Sequence, residues 1–123
     1  MNFGEYFRNL RKQKKYTQEA VAEKIGKSKM LVSGIENGRN GAFLDGDLEI
    51  ISSLFELNSE EKRKLFLEAS KTRERIPIHI LNYMNEHDDL YYILDIVSKS
   101  NFGDRKLKLL KKYVEEINDA KNN

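Results

Sequence analysis

The chain has no cysteine and no tryptophan, one proline, and no apolar run approaching the length of a membrane span. Without cysteine there is neither a disulfide nor a thiolate ligand for a metal, which fits a reducing cytoplasm. Crossing a bilayer takes roughly 20 consecutive apolar residues, and the opening stretch MNFGEYFRNLRK lacks the uninterrupted apolar segment of a signal peptide. The expectation is a protein that stays in the cytoplasm and off the membrane. Histidine is scarce as well: His79 and His87 stand eight residues apart with no third ligand clustered near them, so no metal site is expected. There is no glycine-rich phosphate loop and no nucleophile paired with a base. The acid pairs Glu60 with Glu61, Asp88 with Asp89 and Glu115 with Glu116 read as helix-start acids and solvated faces. Neither an enzyme nor a cofactor is expected.

Charge is plentiful in both signs, and its placement carries the information. Residues 1 to 40 hold nine Lys/Arg against four Asp/Glu, a balance of +5, whereas residues 41 to 61 hold six acids and no base. Residues 62 to 76 carry +4, residues 77 to 104 carry −4, and residues 105 to 123 carry +3. A basic N-terminal third on a chain of net charge +2 suggests a local anionic partner, because clustered Lys and Arg neutralise phosphate whatever the total charge.

The apolar spacing is helical throughout, which predicts an all-α chain. Phe3, Phe7 and Leu10 recur on one face of a first helix. Thr17 caps a short second helix with Val21 and Ile25 four apart and Gly26 as its stop, and Ser28 caps a third with Val32 and Ile35 inward and Gly38 at its end. Asp47 is the expected cap of a fourth helix carrying Leu48, Ile51, Leu54 and Phe55, and Ser59 the expected cap of a fifth. The single proline, Pro77, can start a helix but not lie within one, so residues 71 to 77 form the expected junction between two parts, 1–72 and 77–120. Beyond it come three more helices. The last begins near Asp104 and repeats Leu107, Leu110, Val114 and Ile117 with 3-4-3 spacing, a seam suited to packing along another helix.

Residues 3 to about 57 resemble the helix-turn-helix domain of the Cro/phage-repressor (XRE) family. The likeness runs through LRKQKKYTQEAVAEKIGKSKMLVSGIENGR: LR late in the first helix, TQ opening the second, AEKIG leading into the turn, and S and IENG in and after the third. It departs at Lys15, where the family usually has glycine, and in the loop RNGAFLDGD, which lacks the usual proline. The resemblance implies a five-helix domain that binds a double-stranded DNA operator. It implies phosphate contacts from Gln18, Asn37 and Arg39, and a brace between Arg11 and Glu36 joining the first and third helices. Rotation by about 100° per residue places Ser28, Val32 and Ile35 inward, and Met30, Ser33, Gly34 and Asn37 outward, with Lys29 and Leu31 on the flanks. Lys29, Met30 and Ser33 are the expected base readers, with Gly34 leaving room for close approach to DNA.

One helix-turn-helix touches about one half-site, and a two-fold dimer doubles its contacts on sites roughly 34 Å apart. The economical role for residues 77 to 120 is therefore homodimerisation through Leu107, Leu110, Val114 and Ile117, with these helices completing the monomer's core as the bland alternative. The expected function is a sequence-specific regulator, a dimeric repressor or autorepressor of bacterial or phage type. The alternative is an antitoxin or adaptor whose C-terminal helices bind a partner protein while its N-terminal domain regulates its own operon.

Overall fold

The computed structural model describes residues 2–122, with side chains as far as Ala120. Among the described residues there are eight helices and no strand: α1 (Phe3–Gln13), α2 (Gln18–Ile25), α3 (Lys29–Glu36), α4 (Asp45–Leu54), α5 (Ser59–Arg73), α6 (Ile78–Glu86), α7 (Asp88–Lys99) and α8 (Asp104–Asn122). The all-helical class expected from the apolar spacing is the observed one.

Side chains that satisfy first-turn amides set the starts of α1, α2, α3 and α5. Asn2, Thr17 and Ser28 accept from the amides of Glu5, Ala20 and Leu31 at 2.9, 3.0 and 3.1 Å, each relieving one orphan donor of its helix. Two expected caps are corrected. The fourth helix begins at Asp45, ahead of the expected Asp47, and Leu44 before it provides no side-chain cap. The Asp45 carboxylate bonds elsewhere, accepting from the Ile78 amide at 3.0 Å and from Arg73 Nη1 at 3.4 Å. In α5 the cap is Asn58, one residue before the expected Ser59. Asn58 accepts from the Glu61 amide at 2.8 Å while its own amide donates to Glu61 Oε1 at 3.0 Å, a reciprocal box that Ser59 is placed one residue too late to form.

The turns follow equally local rules. Gly26 ends α2 at φ 70° and Gly38 follows α3 at φ 84°, both in the left-handed region that glycine enters freely. Lys15, standing where the resembled family has glycine, keeps the same backbone at φ 64° despite the crowding its Cβ meets there.

The core lies among α1 to α5, with Phe3, Phe7, Val21, Val32, Leu48, Ile51 and Leu65 among its most buried side chains. Phe43, in the loop between α3 and α4, is buried too, its ring edge-on to Phe7 at 4.7 Å between centroids. That contact pins the loop to the core. Gly4 has a separate role, because a Cβ there would run into the carbonyl oxygens of Ile35 and Glu36 and come within 2.8 Å of the Glu36 carbonyl carbon. The missing side chain sets how closely α1 passes the end of α3.

The chain divides into compact units at Leu81 and Asn82. The start of α6 stays with the first unit because Asp45 accepts from Ile78 and the Phe66 ring meets His79 edge-on at 5.7 Å. In the second unit no described side chain is buried. Tyr91, Tyr92 and Ile96 of α7 and Leu107, Val114 and Ile117 of α8 are exposed, while Leu110 is half-buried.

Candidate nucleic-acid interface

The third helix has two sides with different chemistry. Val32, Gly34, Ile35 and Glu36 are buried, and Leu31 packs partly against the core. Lys29, Met30 and Asn37 are exposed and Ser33 is half-buried. Met30 is 80% exposed, so its apolar side chain is free to meet a partner surface, and burying it there is favourable. Met30, Ser33 and Asn37 stand at i, i+3 and i+7, so they form one outward stripe. Lys29 flanks that stripe and its Nζ lies 3.5 Å from Glu19 Oε1 in a solvated pair that contributes little.

Two positions are corrected. Ser28 is exposed, not inward, because a cap residue lies outside the helical rotation that the inward assignment used. Gly34 is buried, not open to an approaching ligand. Beyond Gly38 the chain doubles back so that the Asn40 amide donates to the Gly34 carbonyl at 3.0 Å, and the Asn40 carboxamide fills the space a Gly34 side chain would take.

What holds this helix in place is a buried carboxylate. Arg11 Nε donates to Glu36 Oε2 at 2.7 Å and Arg11 Nη2 to Glu36 Oε1 at 2.9 Å, a two-pronged pair whose carboxylate is fully buried. Gln18 Nε2 adds a bond to Oε1 at 3.1 Å and Arg8 Nε one at 3.4 Å. Arg11 also donates through Nη1 to the Tyr16 carbonyl at 2.8 Å, and the Tyr16 hydroxyl donates to the Leu54 carbonyl at 3.0 Å. One acid thus ties α1, α2 and α3 together. Burial pushes the Glu36 carboxyl up, but hydrogen bonds from Arg11, Gln18 and Arg8 and the Arg11 charge outweigh it, leaving the group below the ordinary carboxylate value.

Of the three phosphate candidates, Gln18 is the first residue of α2 and is partly committed to Glu36. Its remaining amide hydrogen and the positive end of the α2 dipole face an anion favourably. Asn37 and Arg39 are exposed and held to each other, with Asn37 Oδ1 accepting from Arg39 Nε at 3.1 Å and from the Arg39 amide at 3.3 Å. Arg8, Tyr16, Asn40 and Phe43 take part in this architecture and were not singled out from the sequence. Only Phe43 carried a signal, as the aromatic residue of the apolar stretch Ala42, Phe43, Leu44 in the loop before α4. No described group of three His, Asp or Glu side chains is placed to hold a metal ion, and no described helix is long and apolar enough to cross a membrane.

A capped helix, a left-handed glycine turn and a second capped helix tied to α1 by a buried ion pair, with an exposed stripe on the second, define a helix-turn-helix unit. The comparison with protein families agrees: the family model described as Helix-turn-helix matches residues 7–61, and this segment is a helix-turn-helix domain of the Cro/C1 type in the XRE family. That family comprises DNA-binding transcription regulators. Comparisons with curated proteins and with solved structures returned no match.

Proposed function

We propose that this protein is a sequence-specific, dimeric repressor or autorepressor of bacterial or phage type that acts in the cytoplasm and reads the major groove with helix 28–37. The observation that carries the proposal is the outward stripe of α3, where Met30 stands 80% exposed on a helix whose other side is buried and braced. In the major groove such a stripe meets base edges: Met30 covers a thymine methyl group, Lys29 donates to guanine acceptors, and Ser33 bonds to either kind of edge. Gln18, Asn37 and Arg39 then hold the backbone and fix the register. Dimerisation falls to residues 77–120, with Leu107, Leu110, Val114 and Ile117 as the seam, and spaces two such helices roughly 34 Å apart.

Selection of bound sequences from a random DNA pool tests this. The expected product is a two-fold symmetric site with half-sites one helical turn apart, each placing a thymine beside a guanine. A pool that never enriches any sequence would overturn the proposal.

The uncovered apolar side chains of α7 and α8 also suit a different protein, as an antitoxin or adaptor would need. Mass measurement of the purified chain, alone and with the product of the adjacent gene, separates the two: a homodimer in the first sample favours the repressor, and a complex only in the second favours the adaptor.

A further inference from the structure

An open groove of about 950 Å³ lies on the first unit between α5 and the segment entering α6. Its walls are apolar, with Phe66, Leu67, Ile76 and Ile80 lining it, and Arg63 and Arg75 stand at its rim. Leu67, Ile76 and Ile80 are 50%, 50% and 44% exposed, so the groove leaves apolar surface in water. Of the lysines there, Lys62 is paired with Glu49 at 2.7 Å and Lys71 lies 3.9 Å from Glu68. Arg63 and Arg75 enter no ion pair among the described residues.

The chain contains one helix with the complementary character. In α7, seven of twelve residues are apolar: Leu90, Tyr91, Tyr92, Ile93, Leu94, Ile96 and Val97. At about 100° per residue Leu90, Ile93, Leu94 and Val97 share one face while Asp88, Asp95 and Lys99 gather on the opposite one, and the apolar face of an amphipathic helix is one that packs against another surface. Only Leu90 and Val97 are even half-buried, while Tyr91, Tyr92, Ile93, Leu94 and Ile96 remain 45% to 60% exposed. Its charge is also opposite to that of the groove. Asp88, Asp89 and Asp95 against Lys99 give −2, whereas Lys62, Arg63, Lys71 and Arg75 against Glu49 and Glu74 give the groove +2.

We infer that α7 of one copy docks in the α5–α6 groove of a second copy, and that the second copy returns the same contact. This rests on the homodimer proposed above and names a contact separate from the α8 seam. A reciprocal exchange of this kind closes under two-fold symmetry, since each copy offers one groove and one helix, and it leaves no free site to propagate a chain of molecules. Apolar burial supplies the attraction, and the opposed charges set which surfaces meet.

Charge reversal and mixing test the inference on the full chain by sedimentation at low salt. One variant carries Arg63→Glu with Arg75→Glu, and the other Asp88→Lys with Asp89→Lys. All four positions are exposed, and circular dichroism checks that each variant keeps its helices. Each variant alone should dimerise at least about tenfold more weakly than the parent, because like charges now face each other. An equimolar mixture should recover dimers, because in the mixed pair both groove–helix contacts again oppose unlike charges. Leu67→Asp, an exposed change in the groove wall, should also weaken the dimer, and the Asp88→Lys, Asp89→Lys variant should not restore it. A dimeric parent whose variants dimerise equally well overturns the groove contact and leaves the homodimer standing. Weakened variants that do not recover on mixing place the helix on its own chain's groove and overturn the exchange. A monomeric parent overturns the homodimer and the exchange together.

Discussion

Asn40 folds back over Gly34, donating its amide to the Gly34 carbonyl at 3.0 Å and laying its carboxamide where a side chain on Gly34 would begin. The glycine is therefore matched to a neighbour within its own chain. The group in the way is the end of a short, exposed side chain, and such an end swings aside at little cost. Glycine inside a helix costs up to about 1 kcal/mol relative to alanine, so Gly34→Ala should stabilise the protein by up to that amount in urea unfolding. In an Asn40→Ala background the gain should be larger, since the crowding is gone. Equal gains in both backgrounds would show that the carboxamide does not crowd this position.

Gly4 presents the opposite case, because its obstacles are the Ile35 and Glu36 carbonyls and backbone does not swing aside. Gly4→Ala should cost about 1–3 kcal/mol despite the better helix propensity of alanine, as overpacking in a filled core does. The measurement is the shift in denaturation midpoint. A stabilised variant would mean that α1 and α3 can separate freely.

Removal of Glu36 leaves Arg11 without its partner in a buried setting, and Glu36→Ala should cost about 3 kcal/mol or more. The same acid predicts a pH dependence. Its folded pKa is lowered, so its stabilisation is complete above the unfolded value of about 4.3 and is lost as pH falls through the lower folded value. Thermal unfolding from neutral pH into the acid range should show that loss in the parent and a flatter acid limb in Glu36→Gln. Equal acid limbs would remove Glu36 from the account.

Positioning and recognition should separate in binding assays. Arg39→Ala, Asn37→Ala and Gln18→Ala should weaken specific and random duplexes alike, and Arg39→Ala should reduce the salt slope by about one per half-site. Gln18→Ala should also lower the melting temperature, since Gln18 donates to Glu36 at 3.1 Å. Met30→Ala should cost on the order of 1 kcal/mol at thymine and little where uracil, lacking the methyl group, replaces it. Loss confined to the specific duplex for Arg39→Ala would make that arginine a base contact.

The apolar repeats of the first three helices and the caps of the second and third were legible because they are local: Thr17, Ser28, Gly26 and Gly38 each act within four residues of where they stand. The lost cap at Asp47 came from long range, since Asp45 is engaged by Arg73 and Ile78, about thirty residues away in sequence. The burial of Phe43 was hard to read for a related reason, because the short stretch Ala42, Phe43, Leu44 has no period to say which side chain turns inward. Gly34 was misplaced by the rotation rule, which orders residues around a helix and knows nothing of a chain that returns at Asn40. The Arg11–Glu36 pairing came from family resemblance, whereas the shares of Gln18 and Arg8 in it became visible only once three helices stood together.

The division of α3 between a braced inner side and a solvated outer stripe bears on how such a protein can change over generations. Lys29, Met30 and Ser33 contribute no fully buried surface, and exchanges at surface positions of this kind usually stay within about 0.5 kcal/mol. Whatever these three side chains touch, they can be replaced one at a time while Val32, Ile35 and Glu36 keep the helix where it is. A duplicated copy can therefore acquire a new target through single substitutions, each intermediate folded and expressed, without compensation elsewhere in the chain.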